Sequence, residues 1–214
     1  MPSLKAAIIP VTHFEQNCTL IWDDETKVGA VVDPGGDVGR IRSGIEELGL
    51  TIEKIVVTHG HFDHIGGVAE LKNVLGVPVE GPHRADEPLI AKLPETAEQY
   101  GLGTVETFTP DRWLDEGDEF DIAGIPFEIL HCPGHSPGSL VFFQKDQRFA
   151  LVGDVLFRGS VGRTDLPGGD ADTLINSIRT KLLVLGDDVG FICGHGPTSN
   201  IGDERASNPF LQES

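Results

Sequence analysis

The sequence predicts an α/β fold in which a two-layered core of β-sheet is covered by helices. Short apolar runs alternate with amphipathic stretches along the chain, and in both halves strands come first and a helix-forming stretch follows. This order is typical of helices that pack on sheets. The 214 residues suffice for one sizeable core, and no linker divides them, so we expect a single domain over residues 1–214.

The first half of the chain predicts four strands and two helices. The strands are short apolar or β-branched runs, expected at residues 6–9, 19–22, 28–32 and 52–58. A first helix follows Asp37, which can cap a helix N-terminus, because apolar residues recur at helical spacing from Ile41 to Leu48. A second amphipathic helix begins near Val68 and is expected to end at Gly76.

The second half repeats this pattern. Strands are expected at residues 127–130, 140–143, 149–152 and 190–192, with a helix around residues 172–183. Between the halves, residues 84–103 are polar and helix-prone. They are consistent either with a mobile lid-like insertion or with a pair of surface helices.

Charge and cysteine content argue against several classes of binding partner and indicate a cellular compartment. The net charge of −18 repels phosphate backbones and anionic membranes, and the 16 Lys and Arg residues are scattered, so we expect neither nucleic-acid nor membrane binding. Three cysteines without a CxxC pair suit a reducing compartment. No apolar run is long enough for a signal peptide or a membrane span. We expect a soluble cytoplasmic monomer.

The strongest motif is the HxHxDH run, which directly follows the predicted strand at residues 52–58. It places His59, His61, Asp63 and His64 within six residues on a loop based at a rigid strand end. Imidazole and carboxylate are ligands that suit Zn, Fe or Mn. Histidine is scarce in this chain, so a metal site is a better explanation than a solvated loop with chance histidines.

Three later strands each lead into a Gly-rich turn that carries one more candidate ligand. These ligands are His135 in PGHSPG, Asp154 after Gly153, and His195 in GHGP. Taken alone, a histidine beside a glycine is more often a turn residue than a ligand. Together they raise the set to seven, which suffices for two metals that share one bridging carboxylate.

On these motifs the chain resembles the metallo-β-lactamase superfamily, and within it the glyoxalase II (hydroxyacylglutathione hydrolase) branch. The stretches PVTHFEQNC, TFTPDRWLDEGDEF and HCPGHSPGSLVFF are similar to the short, single-domain bacterial members of that branch. The resemblance covers nearly the whole chain, from residues 32–35 to 194–197. It implies the αββα four-layer sandwich of that superfamily.

The resemblance also implies a division of the ligands between two divalent metal ions. The first metal would be bound by His59, His61 and His135, the second by Asp63, His64 and His195, with Asp154 bridging both. Zn is the expected metal, with Fe or Mn as alternatives because the same ligands accept them. Asp63 is expected to be catalytic as well, so its loss should abolish activity.

The implied reaction is hydrolysis of a small-molecule glutathione thioester, S-D-lactoylglutathione, to D-lactate and glutathione by a metal-bound hydroxide. The family often places a basic substrate-binding residue at the position of Arg163, and Arg158 lies in the same loop. A surface ion pair between Arg163 and Asp165 is an equal alternative. Asp33 is expected either to orient a ligand imidazole through a hydrogen bond or only to start a helix.

Departures from related families narrow the choice of activity. We expect no counterpart of the C-terminal helical domain with which long glyoxalase II enzymes bind glutathione. Asp154 stands where class B β-lactamases usually have Cys, and His61 stands where flavodiiron proteins use a carboxylate. Both differences argue against those activities.

The remaining alternatives are a persulfide dioxygenase, a mononuclear Fe oxidoreductase of the same fold, and a non-catalytic metal-binding protein. The GHGP turn around His195 favours the hydrolase over the dioxygenase. The aromatic residues Trp113, Tyr100 and the phenylalanines are expected in the core rather than at a substrate site, and Cys132 and Cys193 are expected to be buried and unreactive.

Overall fold

Two mixed β-sheets face each other in the computed structural model, which describes residues 3–212. The first sheet contains, in spatial order, β1 (Leu4–Val11), β2 (Gln16–Asp23), β3 (Val28–Val32), β4 (Thr51–Val56) and β5 (Val79–Glu80). Strands β1 to β3 pair antiparallel, whereas β3, β4 and β5 run parallel. Parallel neighbours need crossover connections, and helices supply them here.

The second sheet is built from the second half of the chain. Its strands are β6 (Phe120–Ile122), β7 (Ile125–His131), β8 (Leu140–Gln144), β9 (Phe149–Gly153), β12 (Gly190–Cys193) and β13 (Ser199–Asn200), in the order β13-β12-β9-β8-β7-β6. Between β9 and β12, the short strands β10 (Leu156–Phe157) and β11 (Ser160–Val161) pair with each other as a ribbon. Strands β9 and β12 are parallel, and a helical crossover joins them.

Seven α-helices lie among the described residues. They are α1 (Val38–Leu48), α2 (Phe62–Ile65), α3 (Val68–Leu75), α4 (Glu87–Ala91), α5 (Leu93–Gln99), α6 (Ala171–Ser177) and α7 (Ile201–Ser207). A 3-10 turn at Arg84–Asp86 precedes α4, and α6 continues through a π-helical turn at Ile178–Leu182 into a 3-10 turn at Leu183–Leu185. Within residues 3–212, no helix has both the length and the apolar character required to cross a bilayer.

Three apolar clusters show that the architecture has four layers. Successive strand residues point to opposite faces, so Leu20 of β2 contributes to the cluster under α1 and α3, whereas Ile21 contributes to the cluster between the sheets. In β8, Phe142 lies in that central cluster, and Val141 belongs to the cluster under α6 and α7. Helices therefore cover both outer faces, which confirms the predicted αββα sandwich.

The structure corrects the predicted start of α1. Asp37 is the N-cap by position, but its backbone is left-handed (φ 47°) and its side chain makes no hydrogen bond to the helix. Instead its carboxylate accepts a hydrogen bond from the Thr12 backbone N–H at 2.7 Å. The predicted side-chain cap is therefore wrong, because the residue serves the neighbouring loop.

Residues 84–103 form a pair of short helices, one of the two alternatives that the sequence left open. Each helix has a proline in its first turn, where the missing N–H costs no hydrogen bond. The second helix, α5, packs against α2, the one-turn helix that carries part of the HxHxDH motif. This segment therefore stands directly beside the predicted ligands.

Candidate metal centre

All seven predicted ligand side chains come together at one end of the two sheets. His59 follows the end of β4, His135 follows β7, Asp154 follows β9 and His195 follows β12. The HxHxDH run is not an extended loop throughout, because His61 is the N-cap of α2 and the next residues complete its single turn. The helical turn carries the remaining two members of the motif, Asp63 and His64.

The side chains form two groups of potential ligands. The ligand atoms of each group lie within 4.8 Å of one another; the first group is His59, His61 and His135, and the second is Asp63, His64 and His195. This is the division that the family resemblance implied.

Asp154 lies between the two groups. Its Oδ1 is 3.2 Å from Nε2 of His64, and its Oδ2 is 3.5 Å from Nε2 of His135 and 3.7 Å from Nε2 of His195. One carboxylate thus faces members of both groups, which is the arrangement that a bridging ligand requires.

Several polar atoms at this centre are buried without a hydrogen-bond partner. They are Nε2 of His59, of His61 and of His64, and Oδ1 of Asp154. Unpaired buried polar atoms are rare and costly, and bound metal ions would satisfy those that face the centre. The backbone at Gly194 packs directly against these side chains, since a Cβ there would lie 2.0 Å from Oδ1 of Asp154. The residues present therefore fit a pair of metal ions.

Hydrogen bonds fix the tautomers of three imidazoles. In each of them Nδ1 faces an oxygen acceptor. Nδ1 of His64 lies 2.9 Å from the Asp33 carboxylate. Nδ1 of His135 lies 2.8 Å from the Arg163 carbonyl, and Nδ1 of His195 lies 3.2 Å from the Phe14 carbonyl. Because these oxygens only accept, each Nδ1 carries the proton. Nε2 is then the ring nitrogen that faces the centre, where it can bind a metal once it carries no proton.

Asp33 extends this orientation to His59 through Thr58. Thr58 donates its backbone N–H and its hydroxyl to the Asp33 carboxylate, at 2.8 and 2.6 Å. The same hydroxyl then accepts from Nδ1 of His59 at 3.0 Å. Asp33 caps no helix, so of the two roles predicted for it the geometry favours the orientation of ligand imidazoles.

Two members of the first group, His59 and His61, are kept electrically neutral by their surroundings. Burial lowers the pKa of His59 well below 6.5, and the neighbouring imidazoles of His64 and His61 lower it further. Burial, followed by the nearby His135, lowers the pKa of His61 to about 3. Both side chains are therefore neutral near pH 7 and ready to bind a metal.

The second group is charged. Burial alone would lower the pKa of His64, but the carboxylates of Asp154 and Asp63 raise it well above 6.5. Burial would raise the pKa of Asp154, yet the positive charge of the nearby His64 holds it well below its usual value. The pKa of Asp63 is lowered in the same way, against burial, by His64 and His195.

A cleft of about 860 Å³ opens over the centre. Its floor includes five of the candidate ligands: His61, Asp63, His135, Asp154 and His195. One wall is formed by α4 and α5, and the opposite wall by the loop at residues 157–168. The cleft therefore gives a small molecule direct access to both groups of ligands.

The two predicted substrate-binding arginines differ in position. Arg163 lines the cleft and is exposed, and its guanidinium pairs with Asp165 through two contacts of 2.8 Å. The predicted ion pair is thus present, at the rim of the cleft. Arg158 is exposed and is not among the residues that line the cleft, so its role in substrate binding stays a prediction.

The predicted core position of Tyr100 is wrong. Its side chain is 44% exposed and stacks on Phe62 with ring centroids 4.7 Å apart. Both rings line the cleft, together with Phe14 and Phe157. Sequence reasoning missed this wall because aromatic residues are usually core-forming, and only α5 packing on α2 places Tyr100 at the site. Cys132 and Cys193 are buried, as predicted.

Comparison with known proteins agrees with this geometry. The hydroxyacylglutathione hydrolase GloC of Haemophilus influenzae is 51% identical over 95% of this chain and 96% of its own length. The structure of BLEG-1 B3 metallo-beta-lactamase has a TM-score of 0.90 at 33% identity, covering 98% of this chain and 100% of that one. TTHA1623 in a di-iron-bound form has a TM-score of 0.85 at 36% identity, with 96% and 100% covered. The family model for the metallo-beta-lactamase superfamily matches residues 11–195, and the chain belongs to that superfamily.

Proposed function

We propose that the chain is a binuclear metal-dependent thioester hydrolase that converts S-D-lactoylglutathione to D-lactate and glutathione. The observation that carries the proposal is Asp154, which lies between two complete groups of ligands at the floor of an open cleft. The name of the relative from Haemophilus influenzae, 51% identical over almost its full length, supports the same activity and substrate.

The seven proposed metal ligands are the six side chains of the two groups together with Asp154. His59, His61 and His135 would hold one ion, Asp63, His64 and His195 the other, and Asp154 both. Bound divalent metals supply an ionised water as nucleophile near neutral pH and a Lewis acid for the carbonyl. We propose Zn, and the di-iron-bound form of TTHA1623 supports Fe as the alternative.

Asp63 is the residue best placed to handle a proton. Its Oδ2 faces Nε2 of His195 at 3.1 Å, and neighbouring imidazoles keep its pKa low, so the carboxylate is ionised. It also lines the cleft, where it would accept the proton that the water loses when it ionises to become the nucleophile. A departing thiolate is weakly basic, so the chain needs no strong general acid.

The cleft walls would orient the rest of the substrate. Arg163 at the rim can bind a carboxylate of the glutathione moiety, because a guanidinium fork matches carboxylate geometry. The apolar surface of Tyr100, Phe62 and Phe157 can hold the acyl and thiol chains and exclude water from them.

The mononuclear dioxygenase is disfavoured by the second group. One iron held by the first group and Asp154 would leave Asp63, His64 and His195 without a metal to bind. The 33% sequence identity with BLEG-1 makes β-lactam hydrolysis a stronger alternative activity than the dioxygenase. The same attack on a carbonyl that cleaves a thioester also opens a lactam ring.

The deciding experiment combines metal quantification with three activity assays on the purified protein. We expect two metals per chain and rapid cleavage of S-D-lactoylglutathione, with slower turnover of a β-lactam and no oxygen uptake. Asp63→Asn should abolish the thioesterase activity, whereas Asp111→Asn, which changes a carboxylate remote from the centre, should not. One iron per chain with oxygen uptake on a persulfide would replace this proposal by the dioxygenase.

We also propose a monomeric, cytoplasmic enzyme without a nucleic-acid partner, and two properties support the compartment and the absence of that partner. The three cysteines are free, as a reducing compartment favours, and the charge of −18 disfavours polyanions. We also propose one domain over residues 1–214, because the Asn17 side chain donates to the carbonyls of Cys193 and Gly196 and so ties the two halves together.

A further inference from the structure

Asp86 is a fully buried carboxylate outside the set of candidate ligands. It ends the 3-10 turn that precedes α4, and none of its surface is exposed. Three donors satisfy it: the Gly60 backbone N–H at 2.8 Å and the Ser136 hydroxyl at 2.8 Å on Oδ2, and the Gly138 backbone N–H at 2.6 Å on Oδ1. Within residues 3–212, no Lys or Arg forms an ion pair with it.

The three donors belong to the two loops that carry the whole first group of ligands. Gly60 stands between His59 and His61, and Ser136 directly follows His135. The loops are 74 residues apart in sequence at His61 and His135, whose ring nitrogens approach to 2.8 Å. Asp86 bonds to both loops at once, through Gly60 in one and Gly138 in the other.

Close packing shows that the chain is shaped around this carboxylate. A Cβ at Gly138 would lie 2.6 Å from Cγ of Asp86, a distance that real contacts do not reach. The Ser136 hydroxyl also lies 2.7 Å from the hydroxyl of Ser139, which braces the second loop from its other side. Both the packing and the hydrogen bonds of the second loop therefore fit a carboxylate at this position.

We propose that Asp86 is a positioning residue that sets the distance between the two loops and so the geometry of the first metal group. This inference rests on the proposed metal centre. A metal ion tolerates little error in ligand position, and three separate hydrogen bonds to one rigid carboxylate define the spacing of the loops better than any single contact.

The informative substitution is Asp86→Asn, which keeps the shape of the side chain. All three partners donate, so one of them must then face an amide NH₂ group, donor against donor. Loss of a group that orients ligands typically weakens metal binding by roughly 10- to 100-fold, and we expect that fall in affinity for one of the two ions. We expect kcat to fall with metal occupancy restored, and KM to change little, because Asp86 does not line the cleft.

Glu204→Gln is the matched control. Glu204 is 2% exposed and accepts from the Gly159 N–H and the Asn208 amide at 2.8 and 2.9 Å, so it is a buried carboxylate that joins loops away from the candidate ligands. Its loss should lower the melting temperature of the metal-free protein without changing metal affinity. Ser136→Ala removes only one of the three donors and should therefore lower the metal affinity less. It replaces Asp86→Asn as the test variant if Asp86→Asn does not fold.

The measurement is competition for Zn between each metal-free variant and a chromophoric chelator, with melting temperatures recorded alongside. The proposal is overturned if Asp86→Asn and Ser136→Ala bind both ions as tightly as the unchanged protein, with only stability reduced as in Glu204→Gln. The affinity contrast needs no substrate. If the protein without substitutions binds two ions but does not cleave the thioester, the proposed function is therefore wrong, whereas the inference about Asp86 is unaffected.

Discussion

The carboxylate of Asp33 lies 2.9 Å from Nδ1 of His64, although the two residues are 31 positions apart. Asp33 directly follows β3 and takes a left-handed backbone (φ 50°), a conformation that aspartate tolerates better than most residues. That conformation turns its side chain under α2 instead of continuing the strand. The first sheet thereby controls the direction in which the His64 ring presents Nε2 to the centre.

Asp33→Ala should weaken metal binding. The substitution removes the acceptor that fixes the His64 tautomer and the partner of Thr58, so we expect roughly a 10- to 100-fold lower affinity for at least one ion. Asp37→Ala is the control, because Asp37 lies in the same turn with the same left-handed backbone, but its carboxylate accepts from Thr12 and not from a candidate ligand. Equal Zn affinities of the two variants, measured by chelator competition, would contradict the orienting role.

The ligands were predictable from the sequence because each is a local signal, a histidine or aspartate placed at the end of an apolar strand. A two-layered sheet core covered by helices was predictable for a similar reason, since strand and helix periodicities are also local, whereas the αββα order of the layers was implied only by the family resemblance. Asp86 carried no such signal: it lies in a polar segment, and its partners Gly60 and Gly138 are 26 and 52 residues away. Tyr100 was misplaced because only the packing of α5 on α2 decides which way its ring points.

The two metal groups should respond differently to pH. Burial keeps the pKa of His61 at about 3, so no proton competes with a metal there near neutral pH. Burial opposes a charge on His64, but Asp154 and Asp63 raise its pKa well above 6.5, so it keeps a proton that a metal must displace. As pH falls through that raised pKa, affinity for the second ion should fall.

The measurement is a Zn titration of the metal-free protein at several pH values between 6 and 8. We expect one binding constant to increase with pH and the other to change little, with proton release that accompanies only one binding step. Two constants with the same pH dependence would show that the neighbouring carboxylates do not hold a proton on His64.

Arg163→Ala should impair substrate binding rather than chemistry. The guanidinium is exposed at the cleft rim, so its charge is screened, and we expect KM to rise only about threefold to tenfold with kcat nearly unchanged. The backbone carbonyl of Arg163 still holds His135 after the substitution. Arg148→Ala removes an equivalent bidentate pair with Asp188 outside the cleft and should leave KM unchanged. An altered metal content in Arg163→Ala would indicate a structural effect instead.

Tyr100→Ala should raise KM for the thioester because it removes the stacked ring over Phe62. Aromatic pairs contribute about 0.5–1.5 kcal/mol beyond their buried area, so we expect roughly a two- to tenfold increase. Phe62 also meets Phe14 edge to face at 5.1 Å, and the Phe14 carbonyl holds His195, so a small decrease in kcat should accompany the change.

Tyr100→Phe keeps the ring and should resemble the unchanged protein. Phe210→Ala, which alters an exposed aromatic residue outside the cleft, is the surface control. If KM for lactoyl and for bulkier acyl thioesters is the same in Tyr100→Ala as in these controls, the aromatic wall does not contact the substrate.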